Sequence, residues 1–168
     1  MNCLGFLDKL LGQKTPVVES RLAQVAVNAI MSGQLPIMRT NRIFLQFGET
    51  CHYADNAIYQ KEKKIRVANR NNQGYRMPGF FKGTSFMTGR GQTISRDAYE
   101  YEQIKGSLFI TNQRIIFSAS ADGFVYELSK LTALNPYANA VEMQFGNKVY
   151  TIFVPDGNVV SCVLRNLK

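Results

Sequence analysis

Histidine, cysteine and long apolar runs are all scarce in this chain. No segment approaches the roughly 18 consecutive apolar residues of a membrane-spanning helix, so no helical span is expected. The three cysteines, Cys3, Cys51 and Cys162, lie far apart. Their odd number and wide spacing argue against a disulfide framework and fit a reducing cytoplasm. The single histidine, His52, forms no HxxxH or CxxC spacing with them, so no metal site is expected. The opening MNCLGFLDKLLGQK has no basic n-region, and Asp8 and Lys9 interrupt what would be the apolar core of a signal peptide. Secretion is not expected.

Catalytic constellations are equally thin. Cys51 and His52 are adjacent, but neighbours on a strand point to opposite faces and cannot form a nucleophile–base pair. Glu100 and Glu102, interleaved with Tyr99 and Tyr101, read as a polar strand edge or loop. Gly79, Gly83, Gly89 and Gly91 match neither phosphate-loop pattern and read as turns or bulges. The expectation is a protein that is not an enzyme and carries no cofactor.

What the chain does have is positive charge, concentrated in one place. Lys and Arg number 20 against 12 acids, a net of +8 over 168 residues. Nine cations lie between residues 61 and 96: Lys61, Lys63, Lys64, Arg66, Arg70, Arg76, Lys82, Arg90 and Arg96. Glu62 is the one acid among them, so this fifth of the chain accounts for the whole net charge. Tyr75, Phe80, Phe81 and Phe86 are interleaved. Such a stretch is a candidate anion-binding or lipid-binding face, with Lys64 and Arg66 outward and Ile65 and Val67 inward on a strand.

The periodicity divides the chain at Pro36. Before it, Leu4, Phe6, Leu7, Leu10 and Leu11 predict a short amphipathic helix ended by Gly12. Leu4, Phe6, Leu7 and Leu11 form a candidate membrane or partner contact, and Cys3 a candidate lipid attachment point. A second helix is predicted from an N-cap at Ser20, with Leu22, Val25, Ala26, Ala29 and Ile30 on its apolar face, to Gly33. After Pro36 the period becomes two. Strands are predicted near 43–47, 51–59, 63–69, 74–80, 84–95, 106–111, 114–119, 124–128, 139–145 and 148–154. Asp122-Gly123, Gly146-Asn147 and Thr111-Asn112 supply turns. Beyond Pro155-Asp156-Gly157, Val159, Val160, Val163, Leu164 and Leu167 predict a terminal amphipathic helix. This gives a helical extension over 1–36 and a β-domain over 37–168. Its apolar sheet face must be hidden by curling or by a helical lid.

The stretch Lys105–Phe117, KGSLFITNQRIIF, resembles the hairpin of bacterial pleckstrin-homology-like and GRAM-like domains. Gly106, Leu108, Ile110, Thr111, Asn112, Arg114, Ile116 and Phe117 stand in the motif positions. Leu45-x-x-Gly48-Glu49 resembles the lead-in to the first strand of such domains. The likeness covers roughly residues 43–168, and the segment 70–96 is longer than a minimal member needs. It implies a mainly β (α+β) fold: a seven-stranded, partly open antiparallel barrel capped by a C-terminal helix. It also implies a non-enzymatic binding module for phosphoinositides, other lipids or proteins, often oligomeric. Lys61, Lys64 and Arg66 fit the basic first-strand pattern of the lipid-binding members.

Together these readings lead to a cytoplasmic binding module. Its expected partners are a protein or a second copy of itself, with docking on anionic phospholipid at the inner membrane face as a further role. Nucleic-acid binding through the 61–96 stretch is the alternative.

Overall fold

Two-residue alternation after Pro36 becomes a sheet whose inner face is closed by both helices. The computed structural model describes the backbone of residues 15–71, 75–78, 83, 85–88 and 92–168, and the side chains of 15–66, 83 and 99–168. The strands are β1 (Cys51–Asn71), β2 (Tyr75–Pro78), β3 (Ser85–Thr88), β4 (Gln92–Thr111), β5 (Arg114–Ser118), β6 (Phe124–Glu127), β7 (Leu131–Pro136), β8 (Ala140–Phe145) and β9 (Lys148–Phe153). Helix α1 spans Gln24–Met31 and α2 spans Gly157–Leu167. Seven strands form one sheet in the order β6-β5-β4-β1-β9-β8-β7, and β2 pairs with β3 separately. This is the partly open antiparallel barrel with a C-terminal capping helix that the hairpin resemblance implied.

The chain divides into two compact units. Residues 62–102 form one, and the residues before and after them form the other. In the second of these, α1 and the sheet share one core. Ile30 of α1, Tyr53, Leu108, Ile110, Phe117, Val141, Met143 and Ile152 of the sheet, and Val160, Val163 and Leu164 of α2 are all buried together. Asp156 caps α2, its carboxylate accepting from the Asn158 amide at 2.8 Å.

The sheet curls far enough for distant strands to touch. Phe124 of β6 lies 4.3 Å, ring to ring, from Tyr150 of β9, and Tyr126 stacks on Phe145 of β8 at 4.4 Å. β6 is an edge of the sheet, so these rings close the barrel by packing where backbone hydrogen bonds are absent. The Tyr126 and Tyr150 hydroxyls meet at 2.8 Å in this cluster. Tyr126→Phe is therefore expected to lower the unfolding free energy by about 1 kcal/mol, read from the urea midpoint.

Several sequence expectations need correction. Residues 43–47 are not a strand; they form a loop and turn that covers the sheet. The stretches expected as strands at 51–59 and 63–69 are one strand, β1. Lys61, Glu62, Lys63 and Lys64 are all exposed. A strand solvated on both faces loses its alternation, so it reads as a break. Likewise β4 runs without interruption through the charged segment around Tyr99–Glu102. Strand β7 was not anticipated: a register shift between Leu131 and Ala133 breaks the period of two, and Pro136 ends it. Helix α1 begins at Gln24 after Ala23, not after Ser20, and its Val25 is exposed while Val27 packs on the core. Ser20 instead bonds to Asp55 of β1. The predicted helix over 4–11, with Leu4, Phe6, Leu7 and Leu11, lies outside the described residues.

Candidate functional site

The two segments that carried the family resemblance meet and lock together. The Glu49 carboxylate, its side chain fully buried, accepts from Arg114 Nε at 2.8 Å and Arg114 Nη2 at 2.9 Å. It also accepts from Thr111 Oγ1 at 2.6 Å and from the Gln46 amide at 2.7 Å. Asn112 bridges the same elements: its side chain donates to the Gly48 carbonyl at 3.1 Å and accepts from the Thr50 amide at 2.9 Å. Gly48 has φ +72°, the left-handed conformation that turns the chain back into β1. The motif residues are thus a structural clasp between the lead-in to β1 and the β4–β5 turn.

Burial alone would raise the Glu49 carboxyl, but the hydrogen bonds from Arg114, Thr111 and the Gln46 amide outweigh it and hold the group at about 2, below its ordinary 4.5. A carboxyl lowered on folding stabilises the protein above its ordinary pKa. That contribution is lost as the pH falls from 4.5 towards about 2. Its size is about 3 kcal/mol. Urea midpoints should drop between about pH 5 and about pH 2, and Glu49→Gln should remove the part of that drop that this carboxyl contributes.

Arg114 Nη2 also donates to the Phe44 carbonyl at 2.6 Å, and Gln113 Nε2 to the Phe47 carbonyl at 3.4 Å. The loop over 37–47 is held from below as well. The Met38 amide donates to the Cys51 carbonyl at 2.8 Å, and Met38 and Ile43 cover an apolar cluster of Cys51, Phe109 and Ile116 on the outer sheet face. Beside this loop is a cavity of about 250 Å³ lined by Arg21, Arg39, Thr40, Asn41, Arg42, Ala54, Asp55, Ser107 and Phe109. Asp55 is buried and already satisfied: its carboxylate accepts from Ser20 Oγ and the Arg21 amide, both at 2.6 Å, and from the Asn56 amide at 2.8 Å. Arg42 Nη1 donates to Ser107 Oγ at 3.3 Å. Among the described residues, no ion pair involves Arg21, Arg39 or Arg42. Sequence reasoning passed over these arginines because three cations spread over 22 positions make no visible run.

The nine cations singled out in the sequence are placed only in part. Lys61, Lys63, Lys64 and Arg66 are exposed along β1, and Lys61 Nζ pairs with Asp122 Oδ2 at 2.6 Å. The backbones of Arg70 and Arg96 lie on β1 and β4, and that of Arg76 on β2 opposite Met87. Their side chains, with Lys82 and Arg90, fall outside the described residues. Cys51 and His52 point to opposite faces. The Cys51 thiol donates to the Tyr53 carbonyl at 3.2 Å, and burial pushes it up from its ordinary pKa. The His52 ring bonds to the Pro36 carbonyl at 3.0 Å and to Thr50 Oγ1 at 3.1 Å. A larger open cavity of about 560 Å³ adjoins the clasp, but its Arg114 is committed to Glu49 and its Glu127 pairs with Lys130.

No family model matches the chain, and no curated protein matches it. Among solved structures it is similar to the C-terminal domain of an unknown protein from Leishmania infantum, at 15% identity and a TM-score of 0.42, covering 72% of this chain and 86% of that one. It is also similar to the Vps36 N-terminal PH domain, at 16% identity and a TM-score of 0.40, covering 90% of this chain and 91% of that one. Among the described residues, no helix is long and apolar enough to cross a membrane.

Proposed function

We propose that the protein is a non-enzymatic binding module that docks on an anionic phospholipid surface. The observation that carries this reading is the charge of the unit 62–102. Its interior, residues 63–96, holds eight cations and no acid, while Glu62, Asp97, Glu100 and Glu102 lie towards its chain ends. Exposed Lys63, Lys64 and Arg66 display part of that charge to solvent. A field of one sign over so short a stretch raises the local concentration of anionic groups, and each cation near a charged bilayer adds to the attraction.

The test is co-sedimentation with phosphatidylcholine vesicles with and without phosphatidylserine, across a salt series. Binding is expected only with the anionic lipid and should weaken as salt rises. Equal behaviour on both vesicles would end this reading. A complex with single- or double-stranded nucleic acid at low salt, without vesicle binding, would replace it with the nucleic-acid alternative.

Self-assembly is a second reading, supported by the open sheet. Its edges β6 and β7 pair on one side only within the sheet, and Val125 on β6 is exposed. Light scattering at high micromolar concentration tests it, and a monomer there would contradict it.

A further inference from the structure

The loop over 37–47 presents several apolar side chains to water, and among the described residues its two phenylalanines are the most exposed of their kind. Phe44 and Phe47 are 97% and 104% exposed, and Ile37 is 72% exposed. The other phenylalanines with described side chains, Phe109, Phe117, Phe124, Phe145 and Phe153, are buried or half-buried. Nor is the loop loose. Arg114 holds the Phe44 carbonyl, the Glu49 carboxylate holds the Gln46 amide, and Ile43 is packed beneath. The backbone that carries two exposed rings is therefore held by a clasp anchored in a buried ion pair, and exposed apolar groups gathered on one element mark an interaction surface.

Two residues before Phe44, within about 7 Å of chain, comes Arg42 of the three-arginine cavity. That cavity is lined by three arginines, Thr40, Asn41 and Ser107 with a single carboxylate residue, Asp55, whose oxygens accept from Ser20 and the Arg21 and Asn56 amides. One carboxylate against three arginines leaves a positive excess, and planar guanidinium forks match phosphate oxygens.

We propose that this face is a bilayer-docking site, in which the Arg21–Arg39–Arg42 cavity takes the phosphate of an anionic phospholipid head group while Phe44 and Phe47 enter the interface. The pairing of aromatic tips with adjacent cations selects a lipid surface as the occupant. Rings of this size gain from leaving water for the apolar layer beyond the phosphates, and the cations choose the anionic members. The inference rests on the anionic-surface reading above, but it assigns that contact a site in a different part of the chain from residues 62–102.

The chain contains no tryptophan, so Phe47→Trp installs a single fluorescent reporter at the proposed contact. Phe44→Trp provides an independent second position. With phosphatidylcholine–phosphatidylserine vesicles, the emission should shift to the blue and be quenched by brominated acyl chains; with phosphatidylcholine alone it should do neither. Arg39→Gln/Arg42→Gln should weaken the affinity on the order of tenfold or more, and Phe44→Ser/Phe47→Ser likewise. Co-sedimentation with an unshifted, unquenched indole at both positions would mean that another face docks, which leaves the anionic-surface reading standing and overturns this one. Undiminished binding by either double variant would also overturn it, as would displacement by inorganic phosphate at equal phosphate concentration, which would make the cavity a soluble-anion site. Absence of vesicle binding altogether would end both.

Discussion

Arg114→Met is expected to destabilise the protein by about 3–5 kcal/mol, a large share of the stability of an ordinary domain. The reason is the asymmetry of buried ion pairs. Glu49 has no exposed side-chain surface and takes two of its hydrogen bonds from the guanidinium. Without Arg114 the carboxylate is left in a poorly solvated site with only Thr111 and the Gln46 amide, and the Phe44 carbonyl loses its 2.6 Å donor. Arg114→Lys should recover little, because an ammonium cannot occupy both carboxylate oxygens and also reach Phe44. The double variant Glu49→Leu/Arg114→Met should recover much of the loss, since no charge is then stranded. Urea unfolding of the three variants gives the comparison. An Arg114→Met midpoint within error of the parent would show that the clasp contributes little.

Gly106→Ala is expected to cost about 3 kcal/mol, at the upper end of overpacking effects. A Cβ at position 106 would lie 2.4 Å from the Ser118 carbonyl oxygen, 2.8 Å from the Phe117 ring and 2.9 Å from the Ala119 Cβ. The nearest obstacle is backbone of the adjacent strand, in register with it at Ser107 opposite Ser118 and Leu108 opposite Phe117. A flexible side chain could turn away; a paired strand must move. Because Leu108, Ile110, Ile115 and Phe117 in this hairpin are fully buried, that movement disturbs the core. Thermal or urea unfolding checks this, and a change below about 1 kcal/mol would indicate that β5 yields easily.

Where one face of an element is buried and the other wet, the pattern was readable. The hairpin Leu108–Phe117, strands β8 and β9 and helix α2 were all legible from apolar spacing and turn residues, because each packs one regular face on the core. Legibility failed where packing departs from that rule. Lys61–Lys64 are exposed on both faces of a continuous strand, β7 carries a register shift, and the apolar-rich segment 43–47 forms no strand. The candidate site shows a similar division. Gly48, Glu49, Thr111, Asn112 and Arg114 were visible as motif residues, but their mutual bonding spans about 65 positions and no local spacing encodes it. The cavity of Arg21, Arg39 and Arg42 was invisible for the same reason: β1 and β4 bring Asp55 and Ser107 beside a segment that only the fold places there.

The claim that most needs testing is where the protein meets its partner surface. Amide hydrogen exchange with and without phosphatidylcholine–phosphatidylserine vesicles measures it directly. The account predicts new protection over 37–47 and within 62–102, and unchanged exchange along the edge strands β6 and β7. Protection confined to those two edges, or no change anywhere along the chain, would contradict it.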